Sequence, residues 1–319
     1  MAHSSRLKKM LRGLFKAVLV VFALLNTILA FHSWKFTHFY DDPALRKPQQ
    51  QSFFSTLSFI VAGAKIPKRL NDSVPSLPHE IFTVTTSDGL HLKGWYLQGS
   101  NSTHSKPAVI MFHGHGSCRS AILPEAYQFL KQGHSVYLLD FRAHGNSEGE
   151  QCMVGINESA DVKAAYEYAT KKGEKQLVLW GASMGASTIL KAIHDFNLHP
   201  AKLILEMPFA TMKQATEGKL RIMHLPSSLS PFLVFWGGVL NGKWAFSYKP
   251  YNYADEVTCP VLLQWGRNDP RVTIDETNEI YAHLKTNKML VIYENSAHES
   301  LYTKEPEKWV ASVTDFLKN

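Results

Sequence analysis

Residues 177–185, LVLWGASMG, constrain this chain more than any other stretch. A short apolar run, 177–180, meets Gly181-Ala182-Ser183-Met184-Gly185, and a helix-periodic segment, 186–196, follows. A serine on a sharp strand-to-helix turn needs small neighbours, because the backbone doubles back over its own Cβ. Gly181 and Gly185 supply that room. The turn lifts the Ser183 hydroxyl clear of the sheet and sets backbone N–H groups at a helix start, where developing negative charge is stabilised. G-x-S-x-G alone is a common pattern; the strand before it and the helix after it make this one a nucleophile elbow.

The flanking sequence alternates in the same way. Residues 80–86 and 90–97 around Asp88-Gly89 predict an antiparallel hairpin. Residues 108–112 (AVIMF), 135–139, 177–180, 203–206, 260–265 and 289–293 are short apolar runs suited to a buried, mostly parallel sheet. Helical patterns over 121–132, 156–171, 186–196, 273–283 and 305–317 separate or follow them. Residues 211–256 break the rhythm with Leu225-Pro226, Ser230-Pro231, Gly237-Gly238 and eight aromatic residues. A stretch of that length between strands predicts a lid-like insertion with its own helices. The fold class is therefore α/β: a sheet of about eight strands, its first hairpin antiparallel, covered by helices on both faces.

The N-terminus reads differently. Residues 17–31, AVLVVFALLNTILAF, are apolar but for Asn26 and Thr27, and follow Arg6, Lys8, Lys9, Arg12 and Lys16. Residues 1–33 are read as a basic stub and an uncleaved signal-anchor helix, with the catalytic body exported. A cleaved signal and a buried helix of a soluble protein are the alternatives. Trp34, Phe36, Phe39 and Tyr40 are expected to form an interfacial aromatic cluster. Residues 34–78 read as a connection, with a second, interrupted apolar stretch at 52–66 that packs on the body or lies on the bilayer. The body is expected to span 79–319.

Composition narrows the functional classes. Of 319 residues, 45% are hydrophobic and 19% charged, which describes an ordered chain. The net charge of +7 owes five basic residues to the first sixteen positions, so it does not argue for a nucleic-acid partner. Cys118, Cys152 and Cys259 form neither a disulfide framework nor a zinc signature, and no metal or cofactor is expected.

An open parallel sheet places its site at the carboxyl ends of its strands. Asp269, in Gly266-Arg267-Asn268-Asp269 just beyond the strand ending at Trp265, is the acid candidate. His298, after the last strand, is the base candidate. Serine, acid, histidine in that chain order suits a neutral imidazole that takes the Ser183 proton while a carboxylate fixes its tautomer. Backbone N–H groups of Met184 and His115, the latter in His113-Gly114-His115-Gly116, are the expected oxyanion donors. His113 reads as a loop-holding residue; His144 either lines the site or caps its loop. Asp275 reads as a first-turn helix acid, and Asp255 and Glu256 lie at the wrong end of the sheet. Glu206 ends a strand and is the alternative acid.

These pieces, with Asp140 to Gly149 (DFRAHGNSEG) and Met207-Pro208-Phe209, resemble the α/β-hydrolase superfamily from about residue 79 to 318. The stretch 86–96, TSDGLHLKGWY, resembles the opening hairpin of its membrane-associated serine-hydrolase branch, often labelled serine aminopeptidase-like. Trp265-Gly266 departs from many relatives, which carry a small residue or a histidine before that glycine. The resulting expectation is a serine hydrolase acting on an ester or thioester of a small-molecule or lipid-like acyl substrate through a Ser183 acyl-enzyme. The alternatives are a serine peptidase, a non-catalytic scaffold on the same fold, and a reading in which the lid and residues 53–66 form a membrane-docking surface with incidental esterase activity.

Overall fold

The structure is a computed structural model that describes residues 2–42, 63, 66–100 and 106–318. Its centre is an eight-stranded sheet. β3 (Glu80–Thr85), β4 (His91–Leu97), β5 (Ala108–Phe112), β6 (Val136–Leu139), β7 (Leu177–Ala182), β8 (Lys202–Glu206), β9 (Val261–Gly266) and β10 (Lys288–Tyr293) lie in the order 10-9-8-7-5-6-4-3. β3 to β4 and β4 to β6 are antiparallel, and every pairing from β6 through β10 is parallel. Each predicted strand is present within two residues of its expected ends. β5, β6 and β9 are buried along their whole length, as strands covered on both faces must be.

Five helices cover the sheet: α2 (Leu123–Lys131), α3 (Ser159–Lys171), α4 (Met184–Phe196), α7 (Ile274–His283) and α8 (Pro306–Lys318). α7 starts with a capping box, in which Thr273 and Glu276 satisfy each other's backbone N–H groups. Asp275 lies in its first turn, as expected. The insertion carries α5 (Met212–Ile222) and α6 (Ser230–Val239), joined to the sheet through short helical turns.

The N-terminal region departs from its expected boundaries. α1 (Ala2–Thr37) is one unbroken helix of 36 residues, four residues longer at its inner end than the reading that stopped at 33. It is the one helix among the described residues long and apolar enough to cross a membrane. Residues 8–25 are exposed on every side, and inward positions begin at Asn26 and recur at Leu29, Ala30, Ser33 and Thr37. That 3.6-residue recurrence marks a face docked on protein. Beyond it β1 (Phe39–Tyr40) pairs in parallel with β2 (Ile66–Pro67), and the Phe39 N–H donates to Glu150 O at 2.7 Å. Phe39 is buried and Phe36 half-buried in the body; only Trp34 of the expected interfacial cluster points largely outward. The apolar stretch 52–66, apart from Gly63 and Ile66, lies outside the described residues.

Candidate active site

The elbow forms because its two glycines leave room for nothing else. A Cβ on Gly181 would stand 2.7 Å from the Ala186 nitrogen, and one on Gly185 would stand 2.9 Å from His113 O and closer still to Phe112 O. Ser183 between them has φ 53° and ψ −116°, a backbone state that costs a side-chain-bearing residue about 1–3 kcal/mol. The cost is offset locally: the Ser183 N–H donates to Glu206 O at 2.7 Å, and α4 begins on the next residue.

His298 lies between the other two candidates. Its Nε2 is 2.9 Å from Ser183 Oγ and its Nδ1 is 2.7 Å from Asp269 Oδ2. The second carboxylate oxygen, Oδ1, accepts the backbone N–H groups of Arg271 at 2.7 Å and Val272 at 3.0 Å. The acid is thus aimed by its own turn, and as a carboxylate it is an acceptor only, so the His298 Nδ1 facing it is the donor. Trp265 explains its place before the glycine, because its indole N–H donates to Val272 O at 2.9 Å and props the same turn. A Cβ on Gly266 would meet Ser296 O at 2.6 Å, so the acid and base loops pack backbone to backbone.

The loop after β5 is fixed by two histidines. The Phe141 N–H donates to His113 Nε2 at 3.2 Å, so the His113 proton sits on Nδ1 and reaches Gly114 O at 2.8 Å. His144 repeats the arrangement: its Nε2 accepts from the Gly116 N–H at 3.0 Å and its Nδ1 donates to Arg142 O at 2.7 Å. Burial lowers the pKa of both rings, which therefore hold the loop as neutral imidazoles. Gly114 lies against Ser183, its ideal Cβ position 3.5 Å from the serine Cβ. That contact brings the loop carrying His115 to the nucleophile. The His115 ring is stacked on Phe36 of α1, with centroids 5.1 Å apart and planes 12° apart, and meets Phe39 edge-on at 5.2 Å. Burial, then the charges of Lys219 and Arg271, push its pKa down to about 3.

The other acids are engaged elsewhere. Glu206, the alternative acid, accepts the indole N–H groups of Trp309 at 2.7 Å and Trp180 at 3.0 Å. Burial first, then Glu125, raises its pKa to about 8. All three cysteines are free thiols, and Cys118 Sγ donates to Leu70 O at 3.4 Å. Among the described residues no group of histidine, cysteine and carboxylate side chains could hold a metal ion.

The lid braces the acid turn directly. Arg221 of α5 donates to Pro270 O at 2.7 Å, and Gly218 packs on the Arg271 backbone so closely that any Cβ would collide. The lid's aromatic set divides. Tyr248 and Tyr253 are buried, with Phe209 against Tyr248, whereas Phe232, Phe235 and Trp244 are exposed. The packing of α1 on this region was not read from sequence. Its signal was present as Asn26, Ser33 and Thr37, a polar stripe at helical spacing in an otherwise apolar helix.

Comparison with known proteins supports the fold. Residues 103–251 match the family described as serine aminopeptidase, S33. The chain is 31% identical over 237 residues to the uncharacterized protein Rv2307c of Mycobacterium tuberculosis, covering 73% of this chain and 77% of that one. It is 25% identical over 202 residues to the zebrafish (Danio rerio) lysophosphatidylserine lipase ABHD12, covering 59% of this chain and 49% of that protein. The crystal structure of the Pyrococcus furiosus esterase PF2001 superposes with a TM-score of 0.65 at 26% identity, over 79% of this chain and 96% of the esterase. With the sheet order, the elbow and these relatives in agreement, the chain belongs to the α/β-hydrolase superfamily.

Proposed function

We propose that this protein is a membrane-anchored serine hydrolase that cleaves an ester or thioester through a Ser183 acyl-enzyme. The observation that carries the proposal is the position of His298, within hydrogen-bond reach of both Ser183 Oγ and Asp269 Oδ2. With Nδ1–H donated to Asp269, Nε2 is the free base. It takes the Ser183 proton as Oγ attacks the carbonyl carbon, and the imidazolium is stabilised by Asp269. The tetrahedral oxyanion rests on the backbone N–H groups of Met184 and His115. His298 then gives its proton to the departing alcohol or thiol, activates water, and the acyl group leaves as a carboxylic acid. The body from 79 to 319 supplies this chemistry, the insertion at 211–256 covers it, and residues 1–33 anchor it with the body on the far side of the membrane.

The match to a family described as serine aminopeptidase favours a second reading, hydrolysis of an amide at a peptide N-terminus. The full chain in detergent micelles separates the two. The test uses p-nitrophenyl esters of increasing chain length, an acyl thioester and an aminoacyl anilide, with fluorophosphonate labelling alongside. Labelling abolished by Ser183→Ala, with ester turnover above anilide turnover, is the expected result. Anilide turnover above ester turnover would move the assignment to peptidase. A folded wild type that neither labels nor turns over any substrate would overturn the hydrolase proposal.

A further inference from the structure

The anchor and the lid are joined. Trp236 of α6 donates its indole N–H to Asn26 Oδ1 at 3.1 Å, the Ser33 hydroxyl lies 3.1 Å from Leu233 O, and Asn241 Nδ2 lies 3.5 Å from Thr37 Oγ1. Asn26 and Ser33 of α1's inward stripe thus meet α6 itself, and Thr37 meets Asn241 just past its end. Hydrogen bonds between helices help hold them together at an apolar interface.

The position of this contact along α1 fixes where α6 lies. Lys16 and Lys35 bracket the uncharged part of the helix, and at 1.5 Å per residue they stand about 28 Å apart, close to the hydrocarbon thickness of a bilayer. Lys35 Nζ lies over the rings of Phe31, Trp34 and Tyr40, as a cation at the headgroup boundary would. Asn26 and Ser33 lie in the half of the span nearer the body, and Thr37 just beyond it. A helix docked on them is therefore at the level of the outer leaflet when α1 spans.

α6 has the composition for that level. Residues 225–242 contain no charged residue. Phe232, Phe235 and Val239 are 42%, 38% and 46% exposed, beside the exposed apolar surface of α1. Trp244, 60% exposed and next to Lys243, continues the same segment. An uncovered face of this kind on a lid is costly in water, and continuity with the span supplies its cover.

We propose that α1 and α6 form one bilayer-embedded unit, with the outer face of α6 in contact with lipid. The entrance under the lid then opens at the membrane surface, and the substrate is an acyl ester drawn from the bilayer rather than from solution. The substrate part rests on the hydrolase proposal; the docking part rests on the anchor.

The test places single cysteines, in a Cys259→Ser background with Cys118 and Cys152 left buried, at three exposed positions of the full chain. Phe235→Cys reports the lid, Leu24→Cys the span, and Glu307→Cys the far surface of α8. Each carries an NBD label, and the protein is reconstituted in vesicles of phosphatidylcholine and phosphatidylglycerol containing doxyl-labelled lipid. Quenching at 235 several-fold above that at 307, with quenching at 24 also strong, is expected. Quenching at 24 but not at 235 would overturn lid docking and leave the anchor standing; quenching at neither overturns both. An activity arm compares a long-chain ester carried in vesicles with water-soluble p-nitrophenyl acetate. Phe232→Asp with Phe235→Asp is expected to lower the first at least tenfold and change the second less than twofold. Equal loss on both would overturn lateral substrate entry. If the wild type turns over neither, the hydrolase proposal falls with its substrate, while the quenching result still decides where α6 lies.

Discussion

Asp269→Asn tests the site most sharply, because the geometry dictates which way the new amide points. In the native protein Oδ1 accepts two backbone N–H groups and Oδ2 accepts His298 Nδ1–H. Asparagine keeps both backbone bonds only with its oxygen toward Arg271 and Val272. The opposite orientation would face an NH₂ against two N–H donors, at about 1–3 kcal/mol for each donor left unmet. The amide NH₂ therefore faces His298 and forces Nδ1 to act as the acceptor. The ring proton moves to Nε2, which then points a donor at Ser183 Oγ and cannot receive the serine proton. The same tautomer trap in a serine protease lowers kcat about 10⁴-fold, close to 5.4 kcal/mol of lost transition-state stabilisation. Turnover of a p-nitrophenyl ester by the full chain should fall by about that factor, with KM changed far less and thermal unfolding within a few degrees of wild type. A loss under tenfold in a protein of unchanged stability would refute the assigned role of Asp269 and the tautomer argument with it.

Three further outcomes follow from the same contacts. Gly185→Ala puts a methyl group into the Phe112 and His113 carbonyl oxygens; the elbow must shift, and fluorophosphonate labelling of Ser183 should fall at least a hundredfold, with normal labelling counting against the elbow geometry. Glu206 has a folded pKa raised to about 8, so its contribution to stability is complete below the unfolded value near 4.5 and is lost as pH rises through about 8. Glu206→Gln should therefore remove part of the fall in chemical-denaturation stability between pH 5 and 9; an unchanged slope would refute the raised pKa. Phe36→Ala removes the ring stacked on His115, about 1 kcal/mol of aromatic contact, and should lower kcat roughly tenfold through a loosened oxyanion loop, measured as a kcat loss larger than any rise in KM.

Most of the sheet was legible because its signals are local. The strand runs are short, apolar and separated by periodic helices, and β5 and β9 fall within one residue of their expected ends. The elbow was legible because two glycines and a serine at fixed spacing have few other uses on a strand-to-helix turn. The chain order of Asp269 and His298 named those two residues, and their distances agree with the pairing. The set of roles His113, His144 and Glu206 could take narrowed only with the hydrogen bonds, because a histidine's partner is set by loops far apart in sequence. The division of the lid's aromatic residues was hidden for a related reason. α6 is apolar on nearly all sides, so periodicity cannot tell the face toward the body from the exposed one. The role of α1 was missed because its apolar run argues for a bilayer as strongly as its polar stripe argues for a protein partner, and the run is the louder signal.

α1 packs against the candidate site, so the fold does not divide cleanly where the first strand begins. The boundary at 79 is where strand periodicity begins, yet the site depends on residues before it. Asn71 donates to Asp140 Oδ2 at 2.8 Å and accepts the Ser120 N–H at 2.9 Å. The buried Asp140 also holds the Arg119 and Asn146 N–H groups and the Arg119 guanidinium at 2.9 Å, tying together the loops after β5 and β6. The Cys152 N–H donates to Thr37 O at 2.9 Å, and Cys152 Sγ reaches Met184 Sδ at 3.7 Å, one residue past the nucleophile. Phe36 and Phe39 cover His115 from the same side. A tether could be cut away without touching the chemistry. A helix whose last turn packs on the His115 loop and whose stripe meets α6 is a wall of the candidate site. On the anchoring proposed above, a bilayer that fixes α1 also fixes the helix α6 that α1 holds.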